Sequence, residues 1–464
     1  MRATSSDPTH NLVVIGRLRR PDNSWGRGEV WVSGEKIVAV RDAPQPPERS
    51  DNVRRIDVGD DFVLPGAIDA HVHSLSHDGE GVRAATRSAA AGGVTSIVEM
   101  PFDGPGPINS RDRLLAKQDL VHDEAFVDVA LLATLAPDGG WRQAEVLAEN
   151  GAAGFKISLF LTDEIRFPRI NDYELLDVMK AVGGTGRTLC AHAENNEIVQ
   201  ALTRIEAVNN PTDPLAHSRT RPPVSETLGV LTALEVAAYQ GVSLHLCHLS
   251  LPRSIDLVAW YKTQGVDVTL ETCPHYLTFA EDDFLAQRGR LKINPPVRTS
   301  SDRDALWSRL TSGMVDLVSS DHAPWPTEHK DHQHILENHS GVPGVETLVA
   351  ATLGQAIQRD PSLDTLGMVV DSLTSAPAKR FGLDKHKGSI EVGKDADMMI
   401  FSPDAATRVD GSALHSNAGW SPYDGMSLGG MVTTTILRGT VIWTRTGGLT
   451  THSHQGRILA GPLS

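Results

Sequence analysis

Two histidines one residue apart, His71 and His73, close an apolar run that begins at residue 62. Side chains two apart on a strand point to one face, so both imidazoles can reach the same ion. Spacing alone decides little, because a chain with 19 His in 464 residues carries roughly one His-x-His by chance. His332/His334 and His452/His454 repeat the spacing in polar sequence and read as solvated. Four more residues stand at the ends of apolar runs or inside one. Lys156 lies within Ala153-Gly154-Phe155-Lys156-Ile157-Ser158-Leu159, where a lysine is costly unless neutralised or paired. His192 ends Leu189-Cys190-Ala191-His192, His248 ends Leu246-Cys247-His248, and Asp321 follows Ser319-Ser320. Singly, each histidine has the plainer explanation of a satisfied core imidazole, and Asp321 that of a helix cap. Jointly, four His, one Asp and one buried Lys form a ligand set for first-row divalent metals.

Those residues share a place only if the chain between them is periodic. Short apolar runs recur at 62–70, 94–100, 126–132, 153–159, 188–193, 242–246, 266–270 and 315–319. Helical patterns lie between them, as at 84–91, 173–182, 225–239 and 301–310. Continuous apolar runs bounded by Gly and polar residues are the pattern of strands buried on both faces. Eight strands alternating with helices predict an α/β fold, a (β/α)8 TIM barrel, with a doubly wound open sheet as the alternative. In a barrel, active sites sit at the C-terminal ends of the strands. Only His71 and His73, of the three paired histidines, occupy such an end.

Both ends of the chain read differently. The runs 12–15, 29–32 and 36–40 are short and separated by turn residues, as are 398–401, 432–437 and 441–443. They predict antiparallel strands that join into one small β-sandwich lobe built from both termini. The expected organisation is therefore 1–60 and 386–464 in the lobe, with 61–385 as a metal-dependent catalytic barrel. The last dozen residues read as a loose tail.

A net charge of −15, from 43 basic and 58 acidic residues, opposes binding to nucleic acid or to an anionic membrane surface. No apolar stretch is long enough to cross a bilayer, and the polar segment 1–10 lacks the apolar run of a secretory signal. The odd count of three cysteines, Cys190, Cys247 and Cys273, each in an apolar run, predicts reduced thiols in a cytoplasmic protein.

The chemistry-bearing stretches resemble the cyclic amidohydrolases: dihydroorotase, allantoinase, hydantoinase and dihydropyrimidinase. The resemblance rests on Pro65-Gly66-Ala67-Ile68-Asp69-Ala70-His71-Val72-His73, Gly154-Phe155-Lys156 and His192-Ala193-Glu194. It continues through Glu271-Thr272-Cys273-Pro274-His275-Tyr276, Lys292-Ile293-Asn294-Pro295-Pro296-Val297-Arg298 and Ser320-Asp321-His322-Ala323-Pro324. It implies that CO2 converts Lys156 to a carbamate bridging two divalent ions, zinc first, with manganese, iron or cobalt as alternatives. By the same match His71, His73 and Asp321 hold one ion, and His192 and His248 the other. Asp321 would then take a proton from the attacking hydroxide and return it to the leaving ring nitrogen. Ser158, His275, Asn294 and His322 are weaker candidates for holding the substrate. Family analogy implies a homodimer or homotetramer.

The ring to be opened is a cyclic ureide or imide. Dihydroorotases follow His-x-His with an Arg and place an Asn after the second strand to hold a carboxylate. Here Ser74 and Phe102 stand at those positions, which disfavours dihydroorotate. The segment from Glu99 to Pro107 looks more like allantoinase, as do Ser421-Pro422-Tyr423 and Ile436-Leu437-Arg438-Gly439. The stretch from Ser74 to Gly81 departs from that pattern, lacking its Glu-Pro-Gly-Arg and Trp. Allantoin is therefore the first expectation, with a hydantoinase, dihydropyrimidinase-like or cyclic imide hydrolase as alternatives. A non-catalytic scaffold of the same fold would usually lack the ligand set, and a mononuclear deaminase-type enzyme would need no bridging lysine.

Overall fold

The computed structural model describes residues 11–20, 22–42, 53–450 and 455–460. The segment 1–10 and the pair His452/His454 lie outside the described residues. Four strands come first: β1 (Leu12–Arg19), β2 (Trp25–Ser33), β3 (Lys36–Asp42) and β4 (Arg54–Pro65). Eight parallel strands follow: β5 (Ala67–Val72), β6 (Val94–Glu99), β7 (Asp128–Ala133), β8 (Gly154–Ser158), β9 (Thr188–His192), β10 (Leu244–Leu246), β11 (Val268–Thr272) and β12 (Leu317–Val318). The chain ends with β13 (Met398–Arg408), β14 (Ser427–Leu437), β15 (Thr440–Thr444) and β16 (Gly448–Leu449).

Strands β5 to β12 pair in sequence order, as right-handed crossovers through helices require. The ring closes where Val72 bridges His322 and the backbone of His73 and His322 exchanges bonds with the opposite edge. Every residue of β5 to β9 is buried, which explains why these strands read as unbroken apolar runs. Ile68, Ala70, Val98, Ala130, Leu132 and Leu317 pack inside the barrel. The four helical patterns fall within helices Gly81–Ala91, Asp172–Gly184, Pro223–Gln240 and Ser300–Thr311. The three cysteines are free and buried. Among the described residues no helix is long and apolar enough to cross a membrane.

The lobe is one sheet from both ends of the chain, in the order β16-β15-β14-β13-β4-β1-β2-β3. It differs from a purely antiparallel arrangement in one place, since β1 and β4 run parallel. The sheet curls over its own core of Leu12, Val14, Val30, Val63, Ile400 and Ile436, bringing the β2–β3 turn against residues 394–396.

Three boundaries depart from the sequence expectation. The run at 62–70 is two strands: β4 stays in the lobe to Pro65, and β5 enters the barrel at Ala67. The break falls at Gly66, where a Cβ would stand 2.2 Å from the Thr95 hydroxyl, so the chain turns where only glycine fits. The expected lobe boundary at 60 consequently lies inside β4. The tail is not loose over 455–460. Gly456 donates to Ala125, Leu459 donates to Val129, and Val129 donates to Arg457, stitching this segment to the start of β7.

Candidate metal centre

The six expected residues converge on one cavity at the C-terminal end of the barrel. His71 is in β5 and His73 one residue past it; Lys156 is inside β8 and His192 ends β9. His248 and Asp321 follow β10 and β12 in left-handed backbone, with φ of 41° and 47°. Such conformations strain a residue with a Cβ and persist where surrounding structure enforces them, commonly at functional sites.

Two groups of ligand atoms emerge. Asp321 Oδ1 lies 3.3 Å from His71 Nε2 and 3.7 Å from His73 Nε2. His192 Nδ1 lies 3.0 Å from His248 Nε2. Lys156 Nζ stands 3.4 Å from His71 Nε2. The far nitrogens explain how these rings are held. His71 Nδ1 pairs with Glu271, and His192 Nε2 pairs with Glu194 at 2.8 Å. Arg221 in turn pairs with Glu194. Each acid accepts a hydrogen bond from the N–H of the far nitrogen, leaving a bare lone pair turned into the cavity. Buried His73 Nδ1 and His248 Nδ1 have no hydrogen-bond partner.

The electrostatics favour cation binding. Burial, reinforced by the charge of Lys156, lowers His71 to about 4. Burial also holds His73 and His248 well below the ordinary imidazole value and lowers His192, so all four rings are neutral near pH 7. Burial pushes Asp321 up to about 8, with Glu271 and Asp69 adding to the rise and Lys156 opposing it. Burial works against a charge on Lys156 too, but Cys247 and Glu271 beside it keep its pKa above the usual lysine value. Neutral imidazoles, a carboxylate short of a cation and a buried lysine fit a divalent-metal site.

The weaker candidates divide. Asn294 lines the cavity, and its Oδ1 is buried without a partner. Ser158, His275 and His322 are not among the lining residues. Ser158 Oγ donates to the Phe160 carbonyl at 2.6 Å, shaping the turn after β8. His275 is buried behind the site in helix Pro274–Thr278. His322 accepts from Gly344 N at 3.0 Å through Nδ1 and faces Glu80 at 3.4 Å through Nε2. Ser158 and His322 hold loops, His275 Nε2 is buried without a hydrogen-bond partner, and none of the three lines the cavity.

Sequence reasoning assigned no role to Asp69, Glu194 or Glu271. Asp69 Oδ1 accepts from Ser320 N at 3.0 Å and His71 N at 3.2 Å, fixing the two ends of the ring that carry His71 and Asp321. A signal was present: acids inside otherwise apolar runs, beside histidines, must be paired when buried. The cavity wall was also missed. Phe102 meets His73 edge-on, with ring centroids 6.1 Å apart, and Phe167 meets Phe102 at 5.9 Å. Trp325 forms a further apolar wall, held by its indole N–H donating to the Ser340 carbonyl at 3.0 Å.

A closed parallel barrel with imidazoles, a lysine and an aspartate at its C-terminal mouth defines a class of metal-dependent hydrolases. The chain belongs to the amidohydrolase family, whose model matches residues 62–442. It is 35% identical over 406 residues to an allantoinase of Rubrobacter xylanophilus, covering 86% of each chain. It is 31% identical over 420 residues to an L-hydantoinase of Paenarthrobacter aurescens, covering 89% of this chain and 90% of that one. Among solved structures, L-hydantoinase (dihydropyrimidinase) from Arthrobacter aurescens superposes with a TM-score of 0.92 at 30% identity, covering 97% of this chain and 100% of the other.

Proposed function

We propose that this amidohydrolase opens the ring of a small, neutral, five-membered cyclic ureide. The observation that carries the reading is the inward-facing set of candidate ligands in a cavity where, among the described residues, Lys156 is the sole lining Lys or Arg. His71, His73 and Asp321 would hold one divalent ion, His192 and His248 a second, and Lys156, as a carbamate formed with CO2, would serve both. Zinc is the first candidate, with manganese, iron or cobalt as alternatives. When bound, the ions supply a hydroxide at neutral pH and polarise the ring carbonyl. Asp321 accepts the proton and delivers it to the leaving ring nitrogen. A carboxyl pushed up to about 8 can carry a proton at neutral pH.

Displacing that proton makes metal loading pH-dependent. In bicarbonate-free buffer the zinc affinity of the metal-free protein is expected to rise about tenfold per pH unit from about 6 to about 8, then level off. Titration against a chelator at each pH measures it. A flat profile would mean that Asp321 binds no proton in competition with the ion.

The class of ring follows from charge. A dihydroorotate carboxylate buried here would lack a cation and be strongly penalised. The nearby arginines are engaged elsewhere. Arg166 lies 4.3 Å over the Phe102 ring and donates to the Ser76 carbonyl, and Arg169 pairs with Glu197. Allantoin is the first candidate, supported by the names of several relatives. The Phe102, Phe167 and Trp325 wall favours a second reading, a hydantoin with an apolar group at C5. Comparing kcat/KM for allantoin, 5-substituted hydantoins, dihydrouracil, succinimide and dihydroorotate with one metal tests this. The five-membered ureides are expected to exceed dihydroorotate by about tenfold or more, and a tenfold preference for dihydroorotate would overturn the reading.

A further inference from the structure

The segment from Ser74 to Gly81, where the sequence leaves the allantoinase pattern, is held from several sides. Ser74 donates through its backbone N–H and hydroxyl to Glu99, which Lys117 grips at 3.1 Å. Gly104 N donates to the Leu75 carbonyl at 2.6 Å, and Arg166 donates to the Ser76 carbonyl at 2.9 Å. His77 Nε2 donates to the Pro324 carbonyl, and Glu80 accepts from Ser416 and Asn417. A segment bonded at nearly every residue does not adjust freely to a ligand, so its groups are preorganised.

Within it Ser76 lines the cavity, is 2% exposed, and has a buried Oγ with no hydrogen-bond partner. Buried hydroxyls are almost always paired, and because this one lines the cavity it is free to pair with a group that enters there. Arg166, which binds the Ser76 carbonyl, also covers Phe102, so Ser76 sits beside the aromatic wall next to His73. The ring amide belongs at the metal ligands, which leaves the space beside this wall to the substituent.

We propose that Ser76 is a specificity-determining residue whose hydroxyl hydrogen-bonds an uncharged polar substituent, a carboxamide or ureido group, on the ring carbon. This inference rests on the ureide reading above. A hydroxyl both donates and accepts, so it matches an amide without a compensating charge. Beside the apolar Phe102 and Phe167 an amide left without that bond is penalised, which is what makes one hydroxyl selective.

The experiment uses an isosteric pair, hydantoin-5-acetamide and 5-isobutylhydantoin, with the metal-loaded protein. The ratio of their kcat/KM values is expected to fall about 5- to 10-fold, in disfavour of the amide, in Ser76→Ala. Ser76→Thr keeps the hydroxyl and is expected to hold the ratio within about twofold of the original, because a crowding methyl slows both rings alike. An unchanged ratio in Ser76→Ala, or an equal fall in Ser76→Thr, overturns the role of Ser76. A parent protein that opens neither ring overturns the ureide reading instead, and this is seen before any substitution is made.

Discussion

Asp321→Asn is expected to leave the fold intact and to lower kcat/KM by about 10²–10⁴, with a further loss wherever the ion dissociates. The amide has the shape of the acid but cannot carry a proton between hydroxide and leaving nitrogen. Its oxygen is also a weaker ligand than the carboxylate that stands 3.3 Å from His71 Nε2 and 3.7 Å from His73 Nε2. Burial raises Asp321 to about 8, so near neutrality the side chain exchanges a proton readily, which asparagine cannot do at any pH. The loss should therefore appear in kcat across the whole pH range rather than as a displaced profile. Kinetics at matched metal content, with circular dichroism as the check on folding, measure it. Activity within about tenfold of the parent at equal metal content would assign the acid–base role to another group.

The parts of the site that could be read beforehand were those tied to strand ends. His71, His73, His192, His248 and Asp321 each terminate an apolar run, and a closed parallel sheet brings all such ends together. Lys156 was legible because a lysine inside a two-sided strand is anomalous by itself. What escaped depends on contacts between distant segments. Glu271 fixes His71 across 200 positions of sequence, and Asp69 fixes Ser320 across 251. The cavity wall draws Phe102, Phe167 and Trp325 from three separate loops. No local periodicity reports which loop residues will face one another. The same reason accounts for Ser158, His275 and His322. Motif proximity to the metal-centre residues placed them near the site, while Ser158 bonds to Phe160, His322 bonds to Gly344 and His275 is buried, all three off the cavity lining. The lobe boundary failed more locally, because an apolar run through Gly66 gives no sign that a sheet ends and a barrel begins within it.

Lys156→Met is expected to keep the barrel while removing most of the activity. Methionine fills nearly the same volume, and replacing a buried charge by an apolar side chain is often neutral or stabilising. The melting temperature of the metal-free protein should thus hold or rise. The metal chemistry should not survive, because the variant has no nitrogen to take up CO2 and no anion to offset the charge of two adjacent cations. Glu271 is turned to His71 Nδ1, and Asp321 is placed between His71 and His73, so neither replaces a bridging group. Metal content should fall from two ions per chain to one or fewer, and kcat/KM by about 10³ or more, the size expected from losing several kcal/mol of charge stabilisation. Metal analysis on gel-filtered protein reads the first quantity, and steady-state kinetics reads the second. Mass spectrometry under native conditions, with and without added bicarbonate, tests for the carbamate on the parent chain. Two ions per chain and near-parental activity in Lys156→Met would show that the ions need no lysine between them. One tightly held ion in a fully active parent would leave Lys156 with a structural part alone.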